Sequence, residues 1–232
     1  LIDLYYWPTP NGFKIAIMLE ECGLPYNVKP VNIGAGDQFT PEFLALNPNH
    51  RMPVIVDNDA PGGPLSVFES GAILVYLADK TGRFLSTETH QRFDAMQWLF
   101  WQMAGLGPMA GQAGHFLIYQ EGKHAYATER YSNEYGRLLA VMERRLRDRE
   151  YLAGEYSIAD MACYPWVAPH ERLGQDVDEL PNVAGWIERL GARGAVQRGM
   201  EVGKDLRSDQ PLTEEQRKML YGQSAKKTLE KA

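Results

Sequence analysis

The stretch Arg51-Met52-Pro53-Val54-Ile55-Val56, the turn Asp57-Asn58-Asp59-Ala60-Pro61-Gly62-Gly63-Pro64, and the run Leu65-Ser66-Val67-Phe68-Glu69-Ser70-Gly71-Ala72-Ile73-Leu74-Val75-Tyr76-Leu77 decide how the rest of the chain is read. Two short aliphatic runs around a Pro/Gly/Asp-rich turn predict a hairpin. Glu69 and Ser70 then open a helix, with an acidic side chain at the end the dipole favours. The unpaired N–H groups of a helix start suit a small carboxylate docked at Ser70. Only about 5–6% of X–Pro bonds are cis, so these residues alone predict a trans Met52–Pro53. A cis bond there would turn the Met52 backbone outward. An ordinary hairpin with a packed helix explains the stretch equally well at this point.

Upstream, Leu1 to Tyr6 alternates as a half-buried strand. Trp7-Pro8-Thr9-Pro10-Asn11-Gly12 is a rigid loop, with two prolines and an Asn-Gly pair. Ile15, Met18, Leu19 and Cys22 recur at helical spacing, and Gly23 and Pro25 stop that helix. Tyr26 to Ile33 reads as a second strand, with Pro30 marking a sheet edge. After the polar loop Gly34-Ala35-Gly36-Asp37-Gln38-Phe39, Thr40 and Pro41 cap and begin a short helix to Leu46. The order through Asp79 is β-α-β-α-β-β-α, which suits a small mixed sheet with helices on both faces.

Downstream the character changes. Thr81-Gly82-Arg83 reads as a linker, and only helices are expected from Glu88 onward. Phe93, Met96, Phe100 and Met103 mark one stripe, broadened by Trp98, Leu99 and Trp101. Gly105 to Gly114, with Pro108 inside, predicts a kink or break. A second long helix is expected over His124 to Arg149, its basic end placed where a helix C-terminus favours it. Ser157-Ile158-Ala159-Asp160 resembles a capping box with Asp in place of Glu or Gln. The helix it launches is expected to end or kink at Pro165, and another follows over Asn182 to Arg193. Residues 1–83 form a first domain, 84–206 an all-helical second, and 207–232 a polar tail, partly helical through Thr213-Glu214-Glu215-Gln216.

Composition narrows the class. With 232 residues, 44% hydrophobic and 23% charged, the chain reads as globular with a sizeable core. The net charge of -6 argues against general binding to nucleic acid or an anionic membrane. No charged-then-apolar leader is expected ahead of Asp3, and no apolar run approaches the roughly 20 residues that span a bilayer. Cys22 and Cys163 stand far apart in no metal or redox spacing, amid apolar neighbours that favour inert thiols. A reducing cytoplasm, and no metal, are the expectations.

A β-α-β-α-β-β-α domain followed by a helical one resembles the cytosolic glutathione transferases. Met52-Pro53 before a strand, Glu69-Ser70 opening the third helix and the Ser157/Asp160 cap carry the resemblance over residues 1 to about 200. It implies a thioredoxin-like first domain in which Pro53 is cis. The loops Pro8-Thr9-Pro10-Asn11-Gly12 and Gly34 to Phe39, with Trp98-Leu99-Phe100-Trp101-Gln102, resemble the Nu-class bacterial members, glutathione-dependent disulfide-bond reductases. They are also similar to the transferase-like region of a fungal nitrogen regulator. The resemblance implies that the Met52 backbone pairs with the cysteinyl segment of glutathione, next to Pro53. Glu69 would face the γ-glutamyl amine and Ser70 its carboxylate. Gln38 and Arg51 would touch the rest of the tripeptide, and Arg130 would reach the site from the other subunit of a homodimer. For Arg130 a surface ion pair with a neighbouring acid is the other reading.

The sulfur chemistry follows. A free thiol is only a few per cent thiolate at neutral pH. Lowering its pKa by about two units takes roughly 2.7 kcal/mol of preferential thiolate stabilisation. Other classes use a tyrosine, serine or cysteine near the end of the first strand. Here the loop holds neither serine nor cysteine; the Thr9 hydroxyl and Asn11 amide are the donors available, as the resemblance to the Nu class implies, with Tyr6 the alternative and a plain Asn-Gly turn the bland reading. The expected activity is reduction of small disulfides by two glutathiones, with hydroperoxides as further substrates. The alternatives are conjugation of electrophiles at a pocket lined from Trp98 to Phe116, and a non-enzymatic glutathione-binding regulator.

Overall fold

The first strand buries Ile2, Leu4 and Tyr6 on one face and leaves Asp3 and Tyr5 half-buried on the other. The computed structural model describes residues 1–120, 122–207 and 210–229. Among these, four strands form one mixed sheet: β1 (Ile2–Tyr6), β2 (Tyr26–Pro30), β3 (Val54–Asp57) and β4 (Leu65–Phe68), in the order β2-β1-β3-β4. β1 runs parallel to β2 and antiparallel to β3, which pairs antiparallel with β4. Pro30 lies on the edge strand β2, where its missing N–H costs no ladder bond.

Helix α1 (Pro10–Cys22) follows β1, with Gly12 through Leu19 all buried. It packs against α3 (Ser70–Thr81), α7 (Ile158–Val167) and α9 (Gly194–Glu201). Gly199 permits the last contact, since a Cβ there would stand 2.7 Å from the Ile17 backbone. Arg193 and Arg198 close on Glu21 and Glu20, each at 2.7 Å. Helix α2 (Pro41–Leu46) is capped by Thr40, whose hydroxyl accepts from the Phe43 N–H. One continuous core joins Ile15 and Ile17 to Leu99, Leu106 and Ala110 of the helical half. The sheet and the helices therefore meet across α1.

The Gly105–Gly114 segment does not break. Helix α4 (Thr89–Trp101) passes through a π-helical turn (Gln102–Leu106) into α5 (Gly107–Gly114), and a second π-helical turn (His115–Tyr119) follows. Pro108 follows directly on the π-helical turn, in the first turn of α5. Helix α6 (Ala125–Arg145) stops four residues short of Arg149, and Arg145 turns back to Asp94 and the Leu152 carbonyl. Helix α7 runs through Pro165 without ending. Its cap is complete: Asp160 is fully buried and accepts from the N–H groups of Leu152 (3.0 Å) and Ser157 (3.1 Å), and from Trp186 Nε1 (2.9 Å) on α8 (Pro181–Gly191).

The tail is partly helical, starting where Thr213 to Gln216 predicts, but it makes contacts that its polar composition does not announce. Helix α10 (Glu214–Tyr221) starts at a capping box of Thr213 and Gln216, and α11 (Ala225–Leu229) follows. Helix α10 folds back on the molecule. A Cβ at Gly36 would stand 3.0 Å from Met219, and the Tyr221 ring meets His115 edge-on at 4.6 Å. Trp98 and Trp101 pack against the core, so the exposed aromatics of α4 are Phe93 (60% exposed) and Phe100 (62%). Among the described residues no helix is long and apolar enough to cross a membrane.

Candidate functional site

A groove of about 260 Å³ opens where the sequence reading starts, lined by Asn11, Asn47, Asn49, Arg51, Met52, Pro53, Glu69, Ser70 and Met103. The Met52–Pro53 bond is cis, against the trans expectation from the residues alone and in line with the resemblance. Glu69 forms one corner. It precedes α3 with φ +68, a conformation a non-glycine residue holds only when its surroundings impose it. Ser70 behind it is buried and begins α3, with the free N–H groups of the first turn around it. Asn47 shapes the opposite wall: its amide donates to the Arg51 carbonyl at 2.6 Å and its carbonyl accepts from the Asn49 N–H at 2.8 Å.

Asn11 lines the groove at the start of α1, whereas Thr9, on the other side of Pro10, does not line it and touches it only through Met52. Thr9 precedes the helix without making a side-chain cap, so its hydroxyl stays available. It donates to the Met52 sulfur at 3.4 Å, a donor already aimed at sulfur. Asn11 has one polar atom engaged: Trp166 of α7 donates its indole N–H to Asn11 Oδ1 at 3.2 Å. Asn11 lines the groove, and among the described residues its amide N–H₂ has no hydrogen-bond partner. Trp166 escaped the sequence reading because an aromatic residue in a helical stripe reads as packing.

Tyr6 is excluded as the sulfur's donor. It is buried, its hydroxyl donates to the Val202 carbonyl at 3.0 Å, and burial holds its ionisation well above the ordinary range. Gln38 does not line the groove. It is buried, donates to the Ile33 carbonyl at 3.1 Å, and leaves Oε1 with no hydrogen-bond partner among the described residues. Arg130 lies exposed on α6, 3.8 Å from Glu134, and likewise does not line this chain's groove. Cys22 and Cys163 are free thiols away from the groove lining, and burial raises the pKa of both. Among the described residues no cluster of His, Cys, Asp and Glu could hold a metal ion.

Beneath Ser70 lies a group the sequence reading missed altogether. Lys14, inside the buried α1, is 1% exposed. It donates to Gln102 Oε1 at 2.7 Å, to Ser70 Oγ at 3.3 Å and to Met103 Sδ at 3.5 Å. The only hint was a lysine in a run, Gly12 to Leu19, otherwise apolar on every side.

Known proteins match this chain over both halves of the fold. The sequence profile of the glutathione S-transferase N-terminal domain matches residues 2–79, and that of the C-terminal domain matches residues 106–193. The chain belongs to the glutathione S-transferase family. It is 51% identical over 215 residues to the disulfide-bond oxidoreductase YfcG of Escherichia coli, covering 90% of this chain and all of that protein. A glutathione transferase from Burkholderia graminis, with two glutathione molecules bound per subunit, superposes with a TM-score of 0.82. The identity there is 45%, covering 88% of each chain. One from Pseudomonas putida, with one glutathione disulfide per subunit, gives 0.82 at 43% identity, over 87% of this chain and 91% of that one.

Proposed function

We propose that the chain is a glutathione-dependent disulfide-bond reductase of the Nu-class type. The observation that carries this is Asn11 in the groove lining, with the Thr9 hydroxyl on the lining residue Met52 beside it and no cysteine among the lining residues. Glutathione lies with its γ-glutamyl carboxylate on Ser70 at the start of α3 and its amine toward Glu69. Its cysteinyl segment runs along Met52 and Pro53. Arg51 serves the remaining end, and Gln38 acts through the loop it anchors.

The Thr9 hydroxyl and the Asn11 amide hold the glutathione sulfur as thiolate. That thiolate attacks one sulfur of a substrate disulfide, forming a mixed disulfide and expelling the other half as a thiolate. A second glutathione thiolate attacks the glutathione sulfur of the mixed disulfide. Glutathione disulfide forms and the remaining half leaves as a thiol once protonated. Two glutathiones are oxidised for one disulfide reduced. Small hydroperoxides are further substrates, reduced at the same sulfur. The disulfide-bond oxidoreductase relative and the neighbours holding two glutathiones or one glutathione disulfide support this stoichiometry.

The enzyme acts in a reducing cytoplasm as a homodimer, with Arg130 completing the partner's groove. Exposed Leu65 and Phe68 on β4 and Phe93 and Phe100 on α4 supply apolar surface for that contact. Between α3 and α4 a second cavity of about 460 Å³, lined by Val75, Tyr76, Leu99 and Phe100 among others, opens beside it.

Ultraviolet titration of the bound thiolate tests the assignment. Asn11→Ala should raise the pKa of bound glutathione by one unit or more, a loss of about 1.4 kcal/mol per unit. An unchanged titration would remove Asn11 from the sulfur.

A further inference from the structure

Lys14 is costly to bury and does nothing in the sulfur chemistry above. An ammonium inside a helix packed on every side loses its hydration, and only hydrogen bonds return part of that. The surroundings look arranged to receive it. Gln102 is fully buried at the entry to the first π-helical turn, its Oε1 2.7 Å from Lys14 Nζ. Its Nε2 has no partner among the described residues and occupies space that Gly107 leaves open, since a Cβ there would stand 2.6 Å away. The amide is therefore held with its oxygen toward the lysine, at the expense of its own N–H groups. Above the ammonium sits Ser70, whose hydroxyl donates only to Met103 Sδ at 3.6 Å, a weak acceptor that a carboxylate oxygen would displace.

We propose that Lys14 is a positioning residue of the glutathione site, donating to Ser70 Oγ from below so that the Ser70 hydroxyl proton turns into the groove, and coupling capture of the γ-glutamyl carboxylate to the protonation of its own amine. The inference rests on the glutathione reading given above. Burial pushes the Lys14 pKa down from its ordinary 10.5 to about 7, with the Glu69 carboxylate at the start of α3 pulling it back up; Cys163 on α7 also faces it, but burial keeps that thiol neutral there. Those two are the titratable groups that face it among the described residues; Ser70, Gln102 and Met103 are neutral. Near neutrality the amine is therefore present in both forms. A carboxylate seated on Ser70 adds negative charge close to Nζ and raises the Lys14 pKa. By reciprocity, binding takes up a proton, and affinity is greatest below about pH 7 and falls as pH rises through the pKa values of the free and bound forms.

Calorimetry with S-methylglutathione, whose thioether does not titrate, tests this between about pH 6 and 8.5 in two buffers of different ionisation enthalpy. Wild type should take up a fraction of a proton and lose affinity across that span, approaching about tenfold if binding raises the Lys14 pKa by one unit. Lys14→Met should bind more weakly at the acidic end and show neither slope nor uptake. Gln102→Leu keeps the lysine but removes its 2.7 Å acceptor, so the midpoint should move to lower pH. A tie that merely braces the two halves would shift stability and leave these pH readings alone. Wild-type binding without proton uptake, or a Lys14→Met variant that keeps the wild-type slope, overturns the inference and leaves the glutathione reading standing. If neither variant folds, the wild-type uptake decides. Failure of wild type to bind S-methylglutathione at any pH overturns both.

Discussion

Asn11 carries hydrogen-bonding groups of opposite polarity, and Trp166 occupies one of them. Because the indole can only donate, the atom it meets must be Oδ1, which leaves the amide N–H₂ as the donor end of a residue that lines the groove. Trp166→Phe removes that constraint while keeping an aromatic ring against Gly111. Disulfide turnover should fall by on the order of tenfold, less than the roughly hundred- to thousand-fold that removing one donor outright costs, with little change in the KM for glutathione. Turnover equal to wild type would mean that Asn11 needs no orienting partner. At this scale the candidate donors Thr9 and Asn11 were legible, because a loop without serine or cysteine leaves few groups able to face a sulfur. Trp166 and Lys14 were not. Each acts from an apolar helix, and periodicity says which face is buried without saying what meets there.

Punctuation marks most of the elements in the sequence. Pro41 after Thr40 starts α2, Gly23 in the left-handed region closes α1, and Pro30 falls on the sheet edge. The two π-helical turns left no such mark. Gly105 to Gly114 with Pro108 reads as a kink or break; the chain stays helical through it, with a π-helical turn directly before Pro108. The cap of α7 was legible in type but not in reach, since its carboxylate also holds Leu152 and Trp186. Asp160→Ala would leave the buried Trp186 indole N–H and two backbone N–H groups without their acceptor. Urea unfolding should register a loss of about 2–4 kcal/mol. A loss under about 1 kcal/mol would mean that these donors find other partners or water.

Over the whole molecule, the division into a sheet-bearing half and a helical half followed from the change of pattern near Glu88. The tail did not, because a polar composition hid the Met219 and Tyr221 contacts that bring α10 back over Gly36 and His115. The apolar surface on β4 and α4 belongs to this scale too. Phe93 and Phe100 lie seven residues apart, two turns, and so share a face of α4. Placing a carboxylate there with Phe93→Glu should shift sedimentation from dimer to monomer and reduce turnover, since Arg130 would no longer reach a partner's groove. A wild-type chain sedimenting as a monomer with full activity would remove the dimer from the account.

The mechanism depends on whose thiolate attacks. Cys22 hydrogen-bonds with Thr81, Cys163 is buried in α7, and both thiols have raised pKa values, so neither is poised as a nucleophile. Steady-state reduction of 2-hydroxyethyl disulfide by glutathione, measured on the Cys22→Ser/Cys163→Ser double variant beside Asn11→Ala, tests this most directly. The double-serine protein should keep most of the wild-type rate, while Asn11→Ala should lose on the order of ten- to a thousand-fold. A folded double-serine variant without activity, beside an Asn11→Ala variant at the wild-type rate, would contradict the account and move the nucleophile onto the protein.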